Sequence, residues 1–393
     1  MIMVIAQRHR LRFIAILMIM IVLAGLAIHA HRARMAALAG PVPSQSAQPS
    51  TTAPAAPSTA TPALTATAAT AATAATATAD AVTDTLPEIV TPPEAEPPAL
   101  AGTPAPPAQP ATGPGGSAVT HQAVSESAFG NGDTQYWVFE PDQPRPASAP
   151  VVVFLHGWGA MLPGAYRHWI DHLVKRGNIV IYPRYQATLR TRPEALTANA
   201  VTALTSALAQ LQSPGHVAPD PSRFACVGHS FGGVIAANLA AIAADYRLPP
   251  MRAVMCVEPG PYSPGRICQD YARIPAGTLL LCVAGDDDHI VGEATARLIF
   301  TTATTVARAD KDYILVRSDS HGRPALHATH VAPAGNGFAS WYGYWKWCDA
   351  LTAAAFTGHD RAYALGNTPE QRFLGTWSDG TAVIEPVLAS TDP

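Results

Sequence analysis

The chain has 393 residues and a formal net charge of −3, which offers no basic surface for nucleic acid and no strong field toward a charged partner. Its five cysteines are an odd number, too few for a disulfide scaffold, and none stands in a CxxC or Cys/His metal spacing, so no metal site is readable.

Five arginines, at 8, 10, 12, 32 and 34, and no acid fall in residues 1–40, so the remainder of the chain is mildly acidic. Behind Arg8, His9, Arg10 and Arg12 comes an almost wholly apolar run over residues 13–30. As a helix it would measure about 27 Å, close to the span of a bilayer and longer than the h-region of a cleaved signal. Ala37, Leu38 and Ala39 supply a small-residue cleavage pattern beyond it. The expectation for residues 1–40 is a signal anchor or a signal peptide. The N-terminus would be cytoplasmic and the body exported, membrane-anchored or secreted if cut.

Residues 41–118 are mainly Ala, Pro and Thr with few aromatic or branched aliphatic side chains. Such a stretch cannot bury enough surface to offset its ordering entropy, and the expectation is a disordered linker. A folded domain is then expected over residues 119–393, a size that suits one α/β unit.

Within it, short apolar runs rich in Val, Ile and Leu alternate with longer amphipathic stretches. Strands are predicted at 136–139, 151–155, 179–182, 223–227, 253–257, 278–283 and 313–316, and helices at 166–176, 193–211, 232–244, 292–302 and 341–356. That alternation predicts an α/β domain built on a mostly parallel twisted sheet with helices on both faces. Cys226 and Cys282 fall in the strand runs as small hydrophobes. Cys256 and Cys268 flank a Pro- and Gly-rich loop and could pair in an exported body, which spacing alone leaves open.

The motif that carries chemistry is Gly228, His229, Ser230, Phe231, Gly232, placed between the strand at 223–227 and the following helix. A sharp strand-to-helix turn lifts a serine hydroxyl clear of the sheet, and flanking glycines are needed because a side chain there would clash with neighbouring backbone. The helix entry also aims backbone N–H groups at a developing oxyanion. Ser230 is therefore the candidate nucleophile. Upstream, the strand at 151–155 ends in His156, Gly157, Trp158, Gly159.

Together the HGWG and GHSFGG segments resemble the α/β-hydrolase superfamily, in particular its esterase, lipase and dienelactone-hydrolase-like branches. The resemblance covers about residues 150–356. It implies that the Trp158 and Phe231 backbone N–H groups form the oxyanion hole and that His156 is a structural residue. It places the acid three residues beyond a strand-ending glycine, which selects Asp288 in the run Asp286, Asp287, Asp288, with Asp286 as second choice. The base is expected shortly after the last strand, which selects His321 over His330 and His327. The chain order Ser230, Asp288, His321 is then that of the superfamily.

The reading is a serine hydrolase cleaving carboxylic esters through an acyl-enzyme, without metal or organic cofactor, on a small or polymeric ester, with the membrane as the partner of the N-terminal helix. The alternatives are a peptidase or amidase of the same fold and a noncatalytic envelope-tethered binding protein. The aromatic segment at 341–347 reads first as packing and second as a pocket wall.

Overall fold

A computed structural model describes residues 102–260 and 268–389. The anchor expected in residues 1–40 and the linker as far as residue 101 lie outside the described residues. Among the described residues no helix is long and apolar enough to cross a membrane.

Among the described residues nine strands make one mixed sheet. They are β1 (Ala123–Phe129), β2 (Tyr136–Asp142), β3 (Ser148–Leu155), β4 (Ile179–Pro183), β5 (Ala218–His229), β6 (Ala253–Val257), β7 (Leu279–Gly285), β8 (Lys311–Val316) and β9 (Val387–Leu388). Their spatial order is β1-β2-β4-β3-β5-β6-β7-β8-β9. From β4 through β8 every pair is parallel, while β1, β2 and β9 join the two edges antiparallel. The seven predicted strands all form. β1 and β9 had no apolar run to announce them, because one is a polar edge strand and the other is two residues long.

Val151 to Leu155 are all fully buried, as a parallel strand covered on both faces must be. Alternation divides them: Val151, Val153 and Leu155 join one core, Val152 and Phe154 the other. The first core is capped by α2 (Leu196–Gln210), α3 (Phe231–Ile242) and α4 (Ala294–Thr302), the second by α1 (Arg167–Lys175) and α5 (Trp345–Thr357). α3 is rich in Gly and Ala, so its axis approaches the sheet closely.

After β3 the chain turns to β4 on one side, and after β5 it proceeds to β6 on the other. The carboxyl ends of β3 and β5 therefore flank the point where strand order reverses, the place where α/β sheets open a crevice for ligands.

The linker expectation fails over its last part. Residues 102–118 lie along the body: Pro104 O accepts from Arg323 N at 3.0 Å, Ala105 N donates to Ser378 Oγ at 2.8 Å, and Gly115 N donates to Asp349 Oδ2 at 2.8 Å. Pro107 is buried against Gly375. A Pro-rich segment loses little entropy on docking, and donors remote in sequence hold it, so its composition alone gave no sign of order. Among the described residues no disulfide forms: Cys256 pairs in register with Cys282 of β7 and not with Cys268.

Candidate active site

The turn between β5 and α3 places Ser230 at φ 57°, ψ −127°, a region that non-glycine residues rarely enter. Backbone bonds hold it there: Ser230 N donates to Val257 O at 3.0 Å, and Ser230 O accepts from Gly233 N at 2.9 Å and Gly260 N at 3.2 Å. The glycines are steric requirements. A Cβ on Gly228 would lie 2.0 Å from Gly232 O, and one on Gly232 would lie 2.2 Å from Leu155 O. The sequence motif is thus a device for pressing the start of α3 against the ends of β5 and β3.

Opposite the hydroxyl stands His330. Its Nε2 is 2.9 Å from Ser230 Oγ, and its Nδ1 is 2.8 Å from Asp288 Oδ2. Asp288 is fixed in turn, because its Oδ1 accepts from the Ile290 and Val291 amides at 2.9 and 3.1 Å. Burial works to raise the Asp288 carboxyl, but the bonds from His330 and the two amides outweigh it, and the group stays below the usual carboxylate range. An ionised Asp288 accepts a hydrogen bond from Nδ1–H, leaving Nε2 with a lone pair toward the serine hydroxyl. Of its neighbours, Asp286 shapes the turn through Ser318, and Asp287 faces the exposed His289.

The structure does not bring His321 to this place. Its Nε2 pairs with Asp379 Oδ2 at 2.8 Å on the surface. The cause is a hairpin after β8, closed by paired Asp319 and Leu326 and pinned by Trp377 Nε1 donating to Asp319 at 3.0 Å. It carries His321 outward. The returning segment then docks on the turn at Asp287, with Ala328 O accepting from Asp287 N at 3.2 Å, and delivers His330 two residues later. Gly322 serves this hairpin by leaving room for Trp377 and Pro104, not by turning a base toward the sheet. His327 belongs to the same returning segment. The only signal in the sequence was a cluster of three histidines, since the fold does not fix the length of the loop after β8.

The loop after β3 carries Trp158, whose ring lies 5.1 Å from that of Phe231 across the turn at Ser230. Among the described residues neither the Trp158 nor the Phe231 amide donates to a protein acceptor. Gln186 Oε1 holds the loop by accepting from Gly159 N at 2.9 Å. His156 lies beneath, stacked on Tyr185 at 4.1 Å with its ring nitrogens on the Gly157 and Arg184 carbonyls, away from the serine.

Residues 116–263 match the family described as Chlorophyllase. That family is an esterase family of the α/β-hydrolase type, and the match supports the α/β-hydrolase superfamily for this fold. The match points to a serine ester hydrolase; it runs from before β1 to just past β6, so it takes in the Trp158 loop and Ser230 and stops short of Asp288 and His330. No curated protein matches the chain.

Two further groups crowd the imidazole. His229, beside Ser230, is buried and neutral: burial pushes its pKa down to about 4. Its Nε2 is 2.7 Å from His330 O, which fixes the proton there, and its Nδ1 accepts from Tyr166 Oη at 2.7 Å. Tyr166 Oη itself accepts from Gly157 N at 3.1 Å, so one chain of bonds ties the loop after β3 to the backbone of His330. Glu258, at the end of β6, is fully buried with φ 44°. Its Oε1 accepts from Tyr344 Oη at 3.0 Å, and its Oε2 has no hydrogen-bond partner among the described residues. Burial foremost, and the nearby Asp288 charge, push Glu258 up to about 8, against the pull of His330. His229, Glu258 and His330 bring donor atoms within 4.8 Å of one another. Both ring nitrogens of each histidine are already engaged, so a cation there would find only the glutamate oxygen open.

Proposed function

We propose that this chain is a serine carboxylic ester hydrolase working through an acyl-enzyme. Ser230 attacks the ester carbonyl, His330 takes the hydroxyl proton at Nε2 and returns it to the leaving alkoxide, and Asp288 holds the ring and stabilises the imidazolium. The Trp158 and Phe231 amides receive the oxyanion, helped by the positive end of α3. Water then repeats the cycle on the acyl-serine. The observation that carries this reading is the unbroken line from Ser230 Oγ to His330 at 2.9 Å and from His330 to Asp288 at 2.8 Å, at a topological switch point.

The test is hydrolysis of a series of p-nitrophenyl esters of increasing acyl length. Ser230→Ala and His330→Ala each lower kcat by at least about 10³-fold, in keeping with removal of triad members elsewhere. His321→Ala stays within about threefold of wild type, since the ring faces solvent beside Asp379. Retained turnover in Ser230→Ala would end the proposal.

A further inference from the structure

The imidazole of His330 is served by two carboxyl groups on two different strands. Asp288, beyond β7, makes the 2.8 Å bond to Nδ1. Glu258, beyond β6, places Oε2 at 3.6 Å from the same nitrogen and 3.7 Å from His229 Nε2. We infer that Glu258 is a second acid for His330, standing behind Asp288 and able to hold the ring when Asp288 cannot. The inference rests on the triad reading above and adds a positioning residue to it.

Three observations converge on this. The first is cost: a fully buried carboxyl with one oxygen unpartnered is expensive, and stability alone would have replaced it with an apolar or amide side chain. The second is backbone. Glu258 adopts a left-handed conformation, and its N–H donates to Val283 O at 2.7 Å, which fixes the direction of its side chain toward the site. The third is aim: Tyr344 holds Oε1 and leaves Oε2 as the atom that faces the ring.

A movement of under one ångström, or a small rotation of His330 about χ2, would make the Oε2 contact a hydrogen bond. In the resting site burial foremost, and then the charge of Asp288, keep a proton on Glu258 below about pH 8, so it does not compete. Loss of the Asp288 charge removes one of the causes that raise it. Glu258 then ionises at lower pH and offers an anionic acceptor for the Nδ1 proton. The groups facing it are His330, His229 on β5, Asp288 on the β7 turn, Tyr344 at the start of the α5 segment and Tyr166 ahead of α1.

The experiment is a double-mutant cycle on kcat/KM for p-nitrophenyl butyrate, with Asp288→Asn, Glu258→Gln and both together, and Ser230→Ala as the control on the triad reading. Expected are a few-fold loss for Glu258→Gln, about 10²-fold for Asp288→Asn, and about 10⁴-fold for the double variant, the value typical of an unsupported histidine. Residual activity of Asp288→Asn rises with pH through one ionisation that the double variant lacks. Its low-field His330 Nδ1 proton resonance persists and vanishes in the double. Asp288→Asn as inactive as the double variant, or Glu258→Gln as damaging as Asp288→Asn, would overturn the inference while leaving the triad in place. Activity in Ser230→Ala would instead remove the triad reading on which it rests.

Discussion

Ser230 shows how much a single residue demands of its neighbours. Its φ of 57° costs about 1–3 kcal/mol and persists only because three backbone bonds and two glycines leave no other course for the chain. Gly228→Ala would drive a methyl to 2.0 Å from Gly232 O, contact with backbone that cannot swing aside. That variant is expected to lose at least about 2 kcal/mol of stability, read as Tm, and most of the proposed ester hydrolysis. Glu258 makes the opposite demand, since it destabilises the folded state by its own ionisation. Its pKa rises from an ordinary 4.5 to about 8 on folding, so the folded protein holds a proton that the unfolded chain has lost. Stability that is complete below about pH 4.5 falls as pH climbs to about 8, and no further beyond. Glu258→Gln, which keeps the Tyr344 bond, is therefore expected to match wild type in Tm near pH 4.5 and to exceed it near pH 8. A constant difference across that range, by calorimetry, would contradict the assignment.

Among the elements, those defined by local chemistry were readable and those defined by distant partners were not. The strand, turn and helix around Ser230 follow from an apolar run, two glycines and a small-residue helix, all contiguous in sequence. The helix expected at 341–356 also forms, but it opens with a π-helical turn, Ser340–Tyr344, before α5. Such turns often mark functional places, and this one delivers Tyr344 to Glu258. Trp345 and Trp347 enter the core, the first of the two readings their spacing allowed. The short turn Pro163–Tyr166 ahead of α1 has a comparable task, since Tyr166 joins Gly157 to His229. Tyr166→Phe removes both bonds and leaves two buried groups without partners. The expected loss is about 2 kcal/mol in Tm-derived stability and, on the proposed function, in which the loop after β3 receives the oxyanion, about tenfold in kcat with KM little changed.

At the scale of the molecule, strand order puts three loops from β5, β7 and β8 at one end of the sheet, and this alone lets residues 230, 288 and 330 meet. The other long-range feature is residues 102–118, held at Gly115 by Asp349 Oδ2, which also takes His172 Nε2 at 2.8 Å and Arg176 Nε at 3.2 Å. Asp349→Ala leaves these donors without their acceptor. The expected cost is about 3 kcal/mol, with faster amide exchange or proteolysis confined first to residues 102–118. Unchanged protection there would show that the segment is held elsewhere.

The sequence by itself determined the sheet-and-helix alternation and the sharp turns that carry Ser230 and Asp288, because hydrophobic periodicity and backbone sterics act over a few residues. It did not determine which histidine answers Ser230: His321 and His330 share a loop, and a hairpin closed by Asp319 and Trp377, 58 residues apart, decides that the nearer one points to solvent. Nor did it single out Glu258, an ordinary acid at the end of an apolar strand until β6 lies beside β5 and β7. Only tertiary structure creates the dry space in which an unpartnered carboxyl and a neighbouring imidazole bear on one another.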